Sequence, residues 1–250
     1  MISICIPHYP YNDEINDICT ESIRRLVEYT KVPYEIILAI NGGVWYEVPD
    51  GPAVVLNYPD PIGNPSGWNV CLEQAIGDTI IFMDNDVWVE EGWAEPLIDL
   101  LKDPSIGIAI PDVERLDFDG KYHHTDNMQG CAIAMTRGTL EMLREPTELD
   151  PEPVYGFDSR FDPAYAEDTD LFLRVNLRGL RRCIASDSHV KHLSGQTCFN
   201  VFQDEIEGDV RGLQAVAVRS RRKYEDKWKH LGSHMGSDRT EQLQCWRLWQ

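Results

Sequence analysis

Positive charge is scarce in this sequence. Its 250 residues carry 23 Lys and Arg against 42 Asp and Glu, a formal net charge of −19. That balance disfavours a general nucleic-acid groove, because phosphate would be repelled overall. Long apolar runs are missing too, and none approaches the roughly 20 residues needed to span a bilayer. No secretory leader precedes Ile2, and the seven cysteines are scattered with no Cys-x-x-Cys spacing among them. An odd set of that kind argues for reduced thiols and against a structural zinc site. The expectation is a cytoplasmic chain without integral membrane association.

What is present suits a globular α/β enzyme, with 42% hydrophobic residues spread along the chain. Ile2 to Ile6 reads as a buried strand that stops at Pro7, and Asn12 or Asp13 can cap the helix after it. Tyr34 to Ile40 is a second strand, ended by the turn signal Asn41-Gly42-Gly43, and Ala53 to Tyr58 is a third. Ser66 starts a helix that closes at Gly77, before the strand Thr79 to Met83. Trp93 to Leu101 reads as a helix, Ile106 to Ile110 and Cys131 to Met135 as strands, with a hairpin turn at Asp119-Gly120. A helix near Thr139 to Leu143 follows. The Pro- and acid-rich stretch from Glu145 to Asp162 reads as a surface loop, with a mobile lid as one of its uses. Glu167 opens a helix that Gly179 closes. This alternation predicts a doubly wound, mostly parallel sheet flanked by helices.

Asp84-Asn85-Asp86 closes the strand Thr79 to Met83. Side chains alternate along extended backbone, so the two carboxylates face one side. Unpaired buried carboxylates are costly. The pair suits a hard divalent cation or the hydroxyls of a sugar nucleotide, at the strand end where open α/β sheets gather ligands. A solvated turn would use the same residues. Glu167, Asp168 and Asp170 likewise fit ordinary first-turn helix chemistry. His123-His124 beside Asp126 reads as a solvated pair, and Trp68, Trp88 and Trp93 serve equally as core or as sugar-stacking rings.

The order of the pieces resembles the family-2-type glycosyltransferases of the GT-A fold, over roughly Ile2 to Thr197. Ile2 to Pro7 is similar to that family's opening strand. Asn64, Gly67 and Asn69, then Ala75 and Gly77, resemble its helix before the metal strand. Asp84-Asn85-Asp86 matches its Asp-x-Asp motif, and Gly130-Cys131-Ala132 the start of its acceptor-side strand. Glu167-Asp168-Thr169-Asp170-Leu171 matches its Glu-Asp-x-Asp-Leu motif, and His192 with Gly195 its late histidine before a glycine.

The resemblance implies a single GT-A (Rossmann-like) catalytic domain over 1–231. Its nucleotide-sugar half runs to about 110, its acceptor half from about 111 to 203, and a C-terminal helical extension from about 204 to 231. It implies a nucleoside-diphosphate sugar donor contacted by Pro7, Asn41, Asn64, Gly67, Asn69, Asp84 and Asn85. Mn²⁺ or Mg²⁺ would sit on Asp86, Asp84 and His192, with His189 competing for the imidazole place. Asp168 would be the general base of an inverting displacement, and Glu167 or Asp170 would hold the acceptor or cap the helix. The acceptor stays open among glycan, protein and modified nucleobase.

One departure stands out. Ile40 occupies the place of the family's acidic nucleotide contact, which makes Asn41 the first candidate there, with turn duty as its alternative, while Asp13 or Glu14 could compensate or simply cap the first helix. Two other classes compete. A sugar-phosphate nucleotidyltransferase needs a basic loop near the first strand, yet no Lys or Arg precedes Arg24. A non-catalytic carbohydrate- or nucleotide-binding module would not need the full Asp84, Asp86 and Asp168 set. Asp204 to Lys229 reads as a helix whose basic residues form a solvated face or meet an anionic partner. Gly232 to Ser237 resembles a cloning scar, so 238–250, with Cys245, Trp246 and Trp249, is set aside.

Overall fold

The computed structural model describes residues 1–45, 47–113, 122–124, 130–193 and 196–232. The Asp119-Gly120 turn, Asp126, Gly195 and the tail from 233 onward lie outside the described residues.

Strand β1 (Ile2–His8) leads through helix α1 (Asp13–Tyr29) to β2 (Tyr34–Asn41) and β3 (Val54–Tyr58). Helix α2 (Asn64–Gln74) precedes β4 (Thr79–Met83), followed by β5 (Val87–Val89), α3 (Ala94–Leu100), β6 (Ile106–Asp112) and β7 (Tyr122–His124). Next come β8 (Ala132–Thr136), α4 (Arg137–Leu143), α5 (Glu167–Leu177), β9 (Arg181–His192) and α6 (Gln196–Val201). A hairpin of β10 (Ile206–Glu207) and β11 (Val210–Arg211) leads into α7 (Leu213–Trp228).

The main sheet has the order β3-β2-β1-β4-β8-β6-β9-β5, with β7 paired to β9. It is parallel from β3 to β4, and β8 then enters antiparallel between β4 and β6. The apolar runs of β1 and β2 are continuous because both faces are covered. Ile36, Leu38 and Ile40 share one core with Ile23 and Leu26 of α1 and Leu97 of α3. Ile37 and Ala39 share the other with Trp68 and Leu72 of α2, Leu140 of α4 and Leu171 of α5. A third cluster joins Leu173 of α5 to Tyr224 and Trp228 of α7. The α/β class with a helical C-terminal extension is as expected.

Two local expectations need correction. Strand β1 runs through Pro7 to His8, past the last residue paired with β4, Cys5. The helix expected from Asp204 begins only at Leu213. Gly208 and Gly212 sit at φ of +60° and +61°, which breaks the helical path and forms the β10–β11 hairpin. The stretch from Glu145 to Asp162 is a surface loop, exposed over 145–149 and anchored further on by buried side chains. Phe157 is 1% exposed and lies between Trp68 (ring centroids 4.6 Å apart) and Phe82 (4.9 Å). Asp150 and Asp158 are also buried there.

Candidate functional site

Backbone pairing brings the first three candidate residues together. The Asp84 N–H donates to the Cys131 carbonyl at 2.8 Å, which anchors the end of β4 on β8. Beyond the Asp84-Asn85-Asp86 turn, β5 pairs antiparallel with the end of β9, so Val87 lies opposite His192. The Leu193 N–H donates to the Asp86 carbonyl at 3.1 Å. His192 Nε2 therefore stands 3.2 Å from Asp86 Oδ1 and 3.6 Å from Asp84 Oδ2. One potential ligand atom from each of the three falls within 4.8 Å of the others.

Burial alone would lower the His192 pKa, but hydrogen bonds to Asp86 and Cys131 and the Asp84 charge carry it up to about 11. Burial pushes Asp84 up to about 7, opposed by His192 and reinforced by Asp86 and Asp168. An imidazolium thus sits where two carboxylates converge, a place a divalent cation could take. Two carboxylate oxygens and one imidazole nitrogen fit Mn²⁺ well and Mg²⁺ less well.

Across this group lies the first turn of α5. Asp168 Oδ1 accepts from the Thr169 N–H at 2.6 Å and from the Thr169 hydroxyl at 3.2 Å. Its other oxygen packs against Gly130, where an added Cβ would meet Asp168 Cβ and Oδ2 at 2.7 Å. Burial raises the Asp168 pKa against the pull of Thr169 and Arg182. The helix start therefore does not hold the carboxyl at its ordinary value, as its first-turn place suggested. Glu167 is buried, and its Oε2 has no partner among the described residues. Burial and the neighbouring Asp168 and Asp84 charges push it well above the usual range. Both acids follow two residues in the left-handed region, Tyr165 at φ 73° and Ala166 at φ 69°. Neither is glycine, and each such placement costs on the order of 1–3 kcal/mol.

Residues 3–152, more than half of the chain, match the sequence profile described as Glycosyl transferase family 2. The chain belongs to that family. Among solved structures it is similar to GalNAc-T7 with UDP, GalNAc and Mn²⁺, at 15% identity and a TM-score of 0.64, covering 92% of this chain and 49% of that one. It is also similar to the mannosyltransferase PcManGT of Pyrobaculum calidifontis with GDP-Man and Mn²⁺. That match has 15% identity and a TM-score of 0.59, over 78% of this chain and 57% of the other. At such identities the likeness shows the GT-A fold. A stretch of 65 residues is 29% identical to a Drosophila melanogaster protein named as a polypeptide N-acetylgalactosaminyltransferase 12, a name qualified as inactive. It covers 26% of this chain and 12% of that protein. The chain thus spans less than two thirds of each of these relatives.

The family 2 motifs divide into residues that face the site and residues that brace it. Asn64, at the start of α2, pulls the Asp84 carboxyl down against burial. Gly67 lets α2 approach β1, since a Cβ there would lie 2.7 Å from Pro7 Cβ. Asn85 turns away from the carboxylates. Its Nδ2 donates to His8 Nδ1 at 2.8 Å and its carbonyl accepts from Ser22 at 2.9 Å. Two of the expected donor contacts have their amides engaged within the protein. Asn41 is spent on its own loop, donating to the Gly63 carbonyl at 2.9 Å and accepting from the Ile62 N–H at 2.7 Å. Asn69 clasps the backbone of Phe157 through both polar atoms, at 2.8 and 2.9 Å. Asp170 is also removed from acceptor duty, because Arg174, Lys227 and Trp228 occupy its oxygens. His189 lies on β9 opposite Asp112, outside the Asp84, Asp86 and His192 group.

Some residues at the site had no readable signal. His8 is 1% exposed, and burial lowers its pKa to about 4 against the Asn16 hydrogen bond. As the neutral ring it donates to Asn16 (3.0 Å) and accepts from Asn85. Burial raises the pKa of both Tyr165 and Cys198, reinforced by the nearby Asp84 and Glu167 charges. Trp68 and Trp93 are core residues, with Trp93 Nε1 donating to Thr30 at 3.2 Å. Trp88 lies between the cations of Arg25 and Lys191, each 5.1 Å from its ring.

Proposed function

We propose that this chain transfers a sugar from a nucleoside-diphosphate donor to an acceptor hydroxyl by a single, inverting displacement. The observation that carries the reading is the convergence of Asp84, Asp86 and His192 at the end of β4, with the Asp168 and Glu167 carboxyls beside them. Asp84, Asp86 and His192 would hold a Mn²⁺ or Mg²⁺ ion, whose Lewis acidity offsets the charge that grows on a departing diphosphate. Pro7, Asn64 and Gly67 shape the floor on which the donor lies, and Asn85 holds the turn between the two aspartates.

Asp168 takes the acceptor proton through Oδ2, because Thr169 occupies Oδ1. The proton leaves as the acceptor oxygen bonds to the anomeric carbon and the bond from that carbon to the diphosphate oxygen breaks. A carboxylate with a raised pKa is a stronger base than a free one, which favours this step. Glu167, with one unpaired oxygen, is placed to hold an acceptor hydroxyl. Residues 1–231 form the catalytic unit in this reading. No helix among the described residues is long and apolar enough to cross a membrane.

The test is calorimetry with Mn²⁺ and UDP or GDP, then release of the diphosphate from UDP- and GDP-sugars. Mn²⁺-dependent binding with turnover supports transfer. Binding without any release indicates a non-catalytic module, and no Mn²⁺-dependent binding sinks the reading.

A further inference from the structure

Two basic residues of α7, Lys223 and Lys227, reach back to the segment that carries the site's acids, while Arg221 and Arg222 lie on the exposed face that the sequence offers. Lys227, its side chain 6% exposed, bonds Asp158 Oδ2 at 2.8 Å and Asp170 Oδ1 at 2.6 Å. Trp228 Nε1 donates to the same Asp170 oxygen at 2.9 Å. Lys223 donates to the Asp162 carbonyl at 3.0 Å, and the Ser220 hydroxyl to the Ala164 carbonyl at 2.7 Å. Four contacts from one helix thus bracket residues 162–170, on both sides of the left-handed pair Tyr165-Ala166. A conformation of that kind persists only where its surroundings over-determine it. From Asp170 the grip passes along α5 to Glu167 and Asp168, three and two residues before it.

We infer that α7 is a strut for the acid-bearing turn, and that Lys227 is a positioning residue for Asp168 and Glu167. The inference deepens the proposed function and rests on it only for the catalytic consequence. Among the described residues, buried Lys227 is the cation shared by Asp158 and Asp170, which lie on either side of the turn. Its loss frees the turn at both ends without touching Asp84, Asp86 or His192.

The experiment compares wild type with Lys227→Met, Lys227→Arg and Trp228→Phe by hydrogen exchange of the free protein and by release of UDP or GDP from their sugars with Mn²⁺. Lys227→Met is expected to speed exchange over 163–169 by at least about tenfold while β1 and β4 stay protected. Turnover should fall, with diphosphate affinity within about twofold of wild type. Lys227→Arg should restore both readouts, and Trp228→Phe, which keeps the cation, should give a smaller effect of the same kind if Lys227→Met fails to fold. Unchanged exchange over 163–169, or a uniform rise including β1 and β4, overturns the strut. Asp168→Asn is measured in parallel. Wild-type turnover in Asp168→Asn refutes the assignment of the base, while exchange still decides the strut.

Discussion

Gly130→Ala should disable the site through a single methyl group. The Cβ it adds would lie 2.7 Å from both Cβ and Oδ2 of Asp168. Ordinary contact begins near 3.4 Å, so Asp168 must retreat by roughly 0.7 Å or more. Rotation of the carboxyl cannot relieve the clash, because Cβ of Asp168 is struck as well and is fixed to α5. A displacement of about 1 Å in a catalytic group can cost on the order of 10²-fold in rate. Removal of a general base costs about 10²–10⁴-fold. Gly130→Ala should therefore lose about 10²-fold in turnover and remain more active than Asp168→Asn. Asp84, Asp86 and His192 are untouched, so Mn²⁺-dependent affinity for UDP or GDP should stay within a few-fold. The assay is diphosphate release from donor sugars at saturating Mn²⁺, with calorimetry for binding. Full turnover in Gly130→Ala, with Asp168→Asn impaired, would show that the close approach does not set the position of the base.

Asp86→Ala should abolish Mn²⁺-dependent binding of UDP and GDP with the fold retained, and equal affinities with and without Mn²⁺ in both proteins would sink the metal assignment. Phe157→Ala should cost about 3–5 kcal/mol, as buried aromatic truncations do, and lower Tm by roughly 10 °C; a change under about 2 °C would show that Phe157 does not anchor the loop 145–162. Burial pushes the Asp158 carboxyl up, but Arg160 and Lys227 hold it down at about 2. Because its folded pKa lies below the unfolded value of about 3.9, its contribution is complete above about pH 4 and is lost as pH falls towards 2. The urea-derived stability gap between wild type and Asp158→Asn should shrink by about 2 kcal/mol over that window, and a constant gap would refute the ionic role.

Much of the frame was legible because the central strands are buried on both faces. Ile4 to Ile6, Ile36 to Ile40 and Ile80 to Met83 are continuous apolar runs for that reason. The acids of the site were legible because nothing in the core needs Asp84 and Asp86 at the end of an apolar strand. The asparagines were not. Asn41 and Asn69 stand near the candidate site in sequence, but an amide that reads a ligand and one that braces a loop are the same residue type until partners are known. Asn69 finds its partner at Phe157, 88 residues away. Lys227 was hidden for a like reason, since it meets Asp158 across 69 residues and no local window shows the pairing. Tyr165 and Ala166 carry no sign of their left-handed backbone, because neither is a residue that turns favour.

Four acids close in sequence or space separate scaffold from site by how each is compensated. Asp170 is buried with no exposure, yet Arg174, Lys227 and Trp228 satisfy its oxygens. Glu167 and Asp168, in the same helical turn, are left against each other and against Asp84, and all three are pushed up by burial. A carboxyl whose folded pKa is raised destabilises the fold at neutral pH, since the unfolded chain ionises freely there. A purely structural helix start would relieve that repulsion, and the same helix shows that it can, since it pairs Asp170 completely. The turn before it adds backbone strain at Tyr165 and Ala166 rather than removing any. Buried acids pushed up against one another and strained backbone, together beside the converging Asp84, Asp86 and His192, are what a binding site needs and a core avoids.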